Sequence, residues 1–230
     1  MMQMFYSPRE WKDYIGLTFD QMMIIGTKSI PIVIITSIFS GMVTSVQSAY
    51  QFESWTPTWF VGSIVGESIL LELAPVISAL VLTGRVGATI AAEIGTMRVT
   101  EQIDALEVMG INSLNYLVFP KIIAMLLYPF VITISMFLGI IGGLLAMTLT
   151  GVPSEAYIQG IQMDFESYHI TYSYIKTLVF AFVLATVPSF HGYYMKGGAL
   201  DVGKASTKSF YWTSIIIIIL NYVVTQLLLA

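Results

Sequence analysis

Residues 84–111, GRVGATIAAEIGTMRVTEQIDALEVMGI, form a charged island between two long apolar runs. Arg85, Glu93, Arg98, Glu101, Asp104 and Glu107 gather in it, whereas the flanking runs read as lipid-embedded helix. That contrast sets the fold class, because the runs suit hydrocarbon and the island suits water. Within it, Val99, Ile103, Leu106 and Met109 or Val108 recur at three- and four-residue steps, with Glu101, Asp104 and Glu107 opposite. This spacing predicts an amphipathic helix over about 98–110, closed by Gly110 in the left-handed conformation. A short helix with one apolar face can seat in a groove on a soluble partner. The same pattern also suits a surface helix that only joins two spans.

Composition agrees with a membrane class. Hydrophobic residues make up 56% of the 230 and charged ones 10%, against roughly 25% charged in an ordinary soluble domain. At about 20 residues per crossing, about four to six helices fit, with little left for a soluble domain. The net charge of −4 decides little, and nothing here points to a nucleic-acid partner. The absence of cysteine excludes disulfides and thiolate metal sites. His169 and His191 lack metal-ligand spacing, so no metal site is expected. Residues 1–16 lack the basic stretch, apolar core and small-residue cleavage site of a signal peptide. The first span is therefore expected to direct insertion.

Residues 1–23 read as an interfacial segment, with Trp11, Tyr14, Ile15 and Phe19 at helical spacing among charges; a frayed polar leader is the alternative. Residues 24–230 read as a single transmembrane domain of five spans. The first span covers about 24–46 and, with Pro31, Gly41 and many Ser and Thr, is expected to be partly re-entrant. The second runs over about 59–83 with a kink near Pro75, whose ring nitrogen cannot donate. The third, about 118–148, exceeds one crossing and implies tilt or a lead-in helix. The fourth and fifth cover about 172–190 and 210–229. Residues 47–58 and 150–171 read as polar loops.

Those two loops contain no Lys or Arg. The other side holds Arg9, Lys12, Arg85, Arg98, Lys121, Lys196, Lys204 and Lys208. The positive-inside rule then places the N-terminus and the island in the cytoplasm. Five crossings send the C-terminus to the far side.

Three further patterns bear on chemistry. Residues 198–206, GALDVGKAS, have Walker A spacing, but Ala205 stands where Ser or Thr would hold magnesium, and no β-strand precedes them. They read as a glycine-rich turn, and ATP is expected on another chain. Glu67, Glu72, Lys176 and Asn221 lie at membrane depth, where polar groups face a cavity or a partner. Glu72 and Lys176 are expected at similar depth, lining a polar cavity open outward; the alternatives are a Lys176 that snorkels to the outer interface and a Glu72 that is a protonated or helix-paired structural carboxyl. Gly62/Gly66, Gly84/Ala88 and Gly139/Gly143 permit close helix approach, which gives modest support for a homodimer. Trp55, Trp59, Tyr168, Tyr172, Tyr174, Tyr193, Tyr194, Tyr211 and Trp212 read as interfacial anchors.

The island closely resembles the signature of the MlaE/YrbE permeases, membrane subunits of MCE-type ABC lipid transporters. The similarity extends through LLELAPV (70–76), NYLVFPKIIA (115–124) and GYYMKGGALDVGKASTKS (192–209). The resemblance implies that the island is the coupling helix docking on an ATPase, with Glu93, Arg98, Glu101, Asp104, Leu106, Glu107 and Gly110 as coupling residues. It also implies a homodimer with a phospholipid pocket between copies, here matched by Thr44, Gln51, Trp55, Leu71, Glu72 and Leu73. Glu72 and Lys176 match polar family positions. Asn221 stands where better-known relatives carry an acid, Leu71 replaces a basic residue, and Thr44 and Gln51 replace apolar ones, which alters the expected headgroup contacts. ATP and magnesium would sit on the ATPase, and an MCE-domain protein would complete the assembly in the bacterial inner membrane.

The sequence therefore predicts an all-α integral membrane protein with about five transmembrane helices, an N-terminal interfacial helix and a cytoplasmic coupling helix. A stand-alone secondary transporter or channel would require internal repeats, and none is convincing. A non-transporting membrane scaffold is the other alternative.

Overall fold

The computed structural model describes residues 8–52, 56–151 and 153–229. Trp55, residues 1–7 and the side chains of Trp11 and Tyr14 lie outside what it describes. Every regular element among the described residues is helical. Five helical runs are long and apolar enough to cross a membrane: Ile15–Gln51, Trp59–Val99, Ser113–Leu149, Ser167–Tyr193 and Ala199–Leu229.

Helix α1 (Pro8–Ile25) opens on a proline, whose missing N–H has no intrahelical partner at that position. It exposes Ile15, Phe19 and Met23 at four-residue steps, an apolar stripe suited to the bilayer interface. A 3₁₀ turn, Thr27–Ser29, leads into α2 (Ile30–Gln51). Pro31 falls in the first turn of α2, where it is tolerated. The helix is unbroken and about 33 Å long, as long as the hydrocarbon core is thick. Its buried face is a stripe of small residues, Ser37, Gly41, Ser45 and Ser48, below Val33.

The second run is α3 (Trp59–Ser68), a π-helical segment Ile69–Ile77, α4 (Ser78–Leu82), a second π-helical segment Thr83–Gly87, and α5 (Ala88–Val99). Pro75 lies in the first π segment. Its missing donor would serve the Leu71 carbonyl in α register and the Leu70 carbonyl in π register. Both carbonyls receive side-chain donors from elsewhere: Ser173 Oγ donates to Leu70 O and Lys176 Nζ to Leu71 O at 3.2 Å. The expected kink is thus a change of helical register.

Helix α6 (Gln102–Val108) follows α5 directly. Next come α7 (Ser113–Met125), capped by Asn112 accepting from the Asn115 N–H, and α8 (Tyr128–Leu149). The long third run thus resolves into a lead-in helix and a span. Helix α9 (Ser154–Met163) occupies residues read as loop in the sequence. It packs on α3 because Gly62 lies against the Tyr157 backbone and Gly160 against the Trp59 backbone. Tyr157 is fully buried. Helices α10 (Ser167–Tyr193) and α11 (Ala199–Leu229) complete the chain.

Contacts divide the chain into two compact units, each assembled from several segments. One comprises Met1–Ser29, Leu82–Tyr128 and Val179–Tyr222; the other comprises Ile30–Val81, Pro129–Leu178 and Val223–Ala230. In the second unit, Gly41 meets the Gly139 backbone and Gly142 meets Ile38. Backbones come this close only where no Cβ intervenes. Gly62, Gly66, Gly139 and Gly143 all face neighbours in their own chain. The small-residue spacing that had suggested self-association is used for internal packing.

Candidate functional site

Two groups of functional candidates stand out, one in each unit. In the second unit the centre is Lys176 on α10, whose side chain is fully buried. Its ammonium has four acceptors within reach of its three N–H groups: Glu72 Oε1 at 2.6 Å, Tyr172 OH at 2.9 Å, Thr225 Oγ1 at 3.2 Å and the Leu71 carbonyl. Thr225 also donates to Glu72 Oε1 at 3.2 Å, and the Tyr172 and Thr225 hydroxyls are 2.8 Å apart. A buried ammonium costs several kcal/mol unless paired and hydrogen-bonded, and here both conditions hold. The Glu72 side chain keeps 41% of its exposure, so the carboxylate is the open side of the cluster.

The expected Glu72–Lys176 juxtaposition is therefore a direct ion pair. Lys176 faces Glu72 and not a cavity, because Glu72, Leu71, Tyr172 and Thr225 surround its ammonium. Tyr172 is fully buried, which corrects its reading as an interfacial anchor. Thr225 was missed by sequence reasoning. It lies one helical turn beyond Asn221, the polar residue that drew attention on α11, and Asn221 itself is half-buried. Glu67 is half-buried on α3.

Among the other pocket candidates, Leu71 and Leu73 share the π segment with Glu72. Leu73 also borders a water-sized cavity of about 10 Å³ beside Ser37, Ser78 and Ser135. The three hydroxyls form a chain, Ser37 to Ser135 at 2.7 Å and Ser135 to Ser78 at 3.0 Å. Thr44 turns its hydroxyl to the Ser40 carbonyl on α2, and Gln51 is exposed at the end of that helix.

In the first unit, α6 is held by side chains at both ends. Arg98 pairs with Asp104 at 2.8 Å. Glu107 Oε1 accepts from Ser113 Oγ at 2.8 Å and Tyr193 OH at 3.1 Å. These hydrogen bonds, Ser113 first and Tyr193 second, hold the Glu107 carboxyl below its ordinary value. Glu101 precedes α6 with φ 59°, the only positive φ at a non-glycine residue among those described. Gly110, at φ 77°, ends the helix as expected. The Ile111 N–H reaches Leu106 O, and the Gly110 N–H reaches Glu107 O. This is the Schellman arrangement.

The apolar face of α6 is divided. Ile103 is fully buried and Leu106 half-buried against the chain itself, whereas Val108 and Met109 are 89% and 65% exposed. The apolar surface offered outward is thus Val108 and Met109 at the C-terminal end of the helix, not the whole stripe read from periodicity. Glu93 is engaged elsewhere. It accepts from the buried Lys121 at 2.7 Å and from Gln21 at 3.3 Å, bracing α5 to α7 and α1. The glycine-rich stretch 198–206 is also helical from Ala199 onward, with Lys204 paired to Asp201 at 2.8 Å. The glycine-rich turn read there from sequence is replaced by the first turns of α11.

Comparison with known proteins places this architecture. Residues 18–227 match the family described as permease MlaE. A probable ABC transporter permease protein of Rickettsia bellii is 38% identical over 216 residues, covering 93% of this chain and 83% of the relative. A probable ABC transporter permease protein of Synechocystis is 36% identical over 213 residues, 92% of this chain and 81% of the relative. The intermembrane phospholipid transport system permease protein MlaE of Haemophilus influenzae is 29% identical over 220 residues, covering 94% and 84%.

Proposed function

We propose, from the premise that this chain belongs to the MlaE permease family, that it is the membrane subunit of an ATP-driven phospholipid transporter. It works as a homodimer in the bacterial inner membrane, with its N-terminus and α6 in the cytoplasm and its C-terminus in the periplasm. ATP and magnesium belong to a separate ATPase that docks at α6, and an MCE-domain protein receives or delivers lipid outside. Phospholipid is the cargo named for the Haemophilus relative. The lipid route would pass Thr44, Gln51 and Leu71–Leu73, and the open carboxylate of Glu72 in the same π segment as the two leucines supports this reading.

The observation that carries this reading is the construction of α6. Arg98–Asp104 and Glu107–Tyr193 fasten it to the chain, while Val108 and Met109 stay bare at its tip. A helix that only joined two spans would have no need of such an apolar tip on a fastened support. Movement of a docked partner would reach the spans through these fastenings, and ATP-driven bias between two states of the dimer would supply direction.

Copurification with the cognate ATPase tests the proposal. Val108→Asp with Met109→Asp should release the ATPase while leaving the permease folded and dimeric. Lipid transport by the purified chain alone, without ATP, would overturn it.

A further inference from the structure

Beneath α1 in the first unit lies a cavity of about 210 Å³ bordered by Gln21, Ile25, Lys28, Arg85, Thr89 and Glu93. Two of its walls are cationic. Lys28 sits in the 3₁₀ turn where the surface helix hands over to α2, and Arg85 sits in the π-helical segment Thr83–Gly87. Neither forms an ion pair among the described residues. The one carboxylate present, Glu93, is already matched by the buried Lys121. The site therefore carries close to two uncompensated positive charges. Its floor is apolar, with Ile25, Val86 and Ile90 nearly fully buried.

We propose that this cavity binds the phosphate of an anionic phospholipid of the adjoining leaflet, at a site separate from the transport route. Three observations converge on that ligand. The charges call for a monoanionic phosphate, and the Gln21 amide, which gives one hydrogen to Glu93, has a second to donate to its oxygens. At about 210 Å³ the space suits a headgroup and falls short of the roughly 300–1,000 Å³ that encloses a drug-sized molecule. The turn at Lys28 joins an interfacial helix to a span, which sets the site at headgroup depth, and the partly exposed Ile24 leaves an apolar rim for acyl chains. A basic pocket between helices at this level is the expected form of an anionic-lipid site. Such a lipid would pin α1 against α5 whatever cargo the transporter moves.

The chain lacks cysteine, so a single T89C substitution reports on the cavity through labelling by a neutral maleimide. The full chain is reconstituted in nanodiscs of phosphatidylcholine with or without phosphatidylglycerol. Phosphatidylglycerol should slow labelling at position 89 by about tenfold and leave T96C, outside the cavity, unchanged. Lys28→Gln with Arg85→Gln should abolish the difference, whereas Lys204→Gln should retain it. Millimolar inorganic phosphate in pure phosphatidylcholine forms the second arm; equal protection there would identify a free-anion site and overturn the lipid assignment. Equal labelling in both lipid mixtures would overturn the site altogether. The contrast between lipids uses the T89C chain alone, so it decides the matter even if the double variant fails to assemble.

Discussion

Lys176 and Glu72, 104 residues apart in sequence, meet at 2.6 Å, yet the lysine is fully buried and the glutamate side chain remains 41% exposed. That asymmetry makes the two partners unequal to mutation. Removing Glu72 strands an ammonium that cannot reach solvent, at a cost of about 3–5 kcal/mol. Removing Lys176 leaves a carboxylate that is already partly open.

Glu72→Leu should therefore lower the thermal midpoint of the detergent-solubilised protein much more than Lys176→Met. The double substitution should recover much of the loss, because no unpaired charge is then left behind. Thermal unfolding of the three variants checks the order. Equal losses from the two single variants would contradict the burial asymmetry.

The glycines divide into two classes with opposite expected effects. A Cβ at Gly160 would collide with the Trp59 backbone, whereas one at Gly203 meets nothing within 4 Å. Gly160→Ala should force α9 off α3 and destabilise by about 1–3 kcal/mol. Gly203→Ala, in the open first turns of α11, should stabilise by about 0.5–1 kcal/mol. Thermal unfolding distinguishes them, and a stable Gly160→Ala would refute the α3–α9 packing.

These contrasts also mark what the sequence could convey. Apolar runs placed all five spans, and hydropathy alone sufficed because each run exceeds the bilayer thickness. The island's helix and its Gly110 terminator were legible because helical spacing and a left-handed glycine are local signals. Helix α9 was not legible, since its burial rests on Gly160 and Tyr157 meeting a helix about 100 residues earlier in the chain. The same holds for the Lys176 cluster. Polarity at membrane depth exposed Glu72 and Lys176, but Tyr172 resembled an interfacial aromatic and Thr225 an ordinary span threonine. Their partnership exists only once α10, α11 and the π segment are brought together. The divided apolar face of α6 has a similar origin, because periodicity shows which residues share a face and not which neighbour covers them.

Glu101 supplies a backbone test. A glutamate at φ 59° bears a steric cost that glycine avoids, about 1–2 kcal/mol for a side chain in the left-handed region. Glu101→Gly should therefore stabilise the junction of α5 and α6 or leave it unchanged, despite the usual penalty of introducing glycine. Gly110→Val, which places a β-branched residue at φ 77°, should fray the end of α6. Amide exchange over residues 102–111 is expected to slow or stay the same in the first variant and to quicken in the second; faster exchange in Glu101→Gly would contradict the strain at position 101.

The last expectation concerns pH. Glu107 is held below the ordinary carboxylate value of 4.5 by hydrogen bonds from Ser113 and then Tyr193, opposed by desolvation and aided by Arg98. A group whose pKa is lowered on folding stabilises the fold above its unfolded value and loses that contribution as pH falls through the folded value. The fastening of α6 at Glu107 should thus be constant from neutral pH down to about 4.5 and loosen only below it. Carboxylate NMR should place the Glu107 midpoint under 4.5, and Ser113→Ala with Tyr193→Phe should raise it toward that value. Loss of the two hydroxyls should also make the α6 amides exchange faster at neutral pH, where the carboxylate is still ionised. A midpoint at or above 4.5 in the unaltered protein would show that Glu107 does not hold α6 through these bonds.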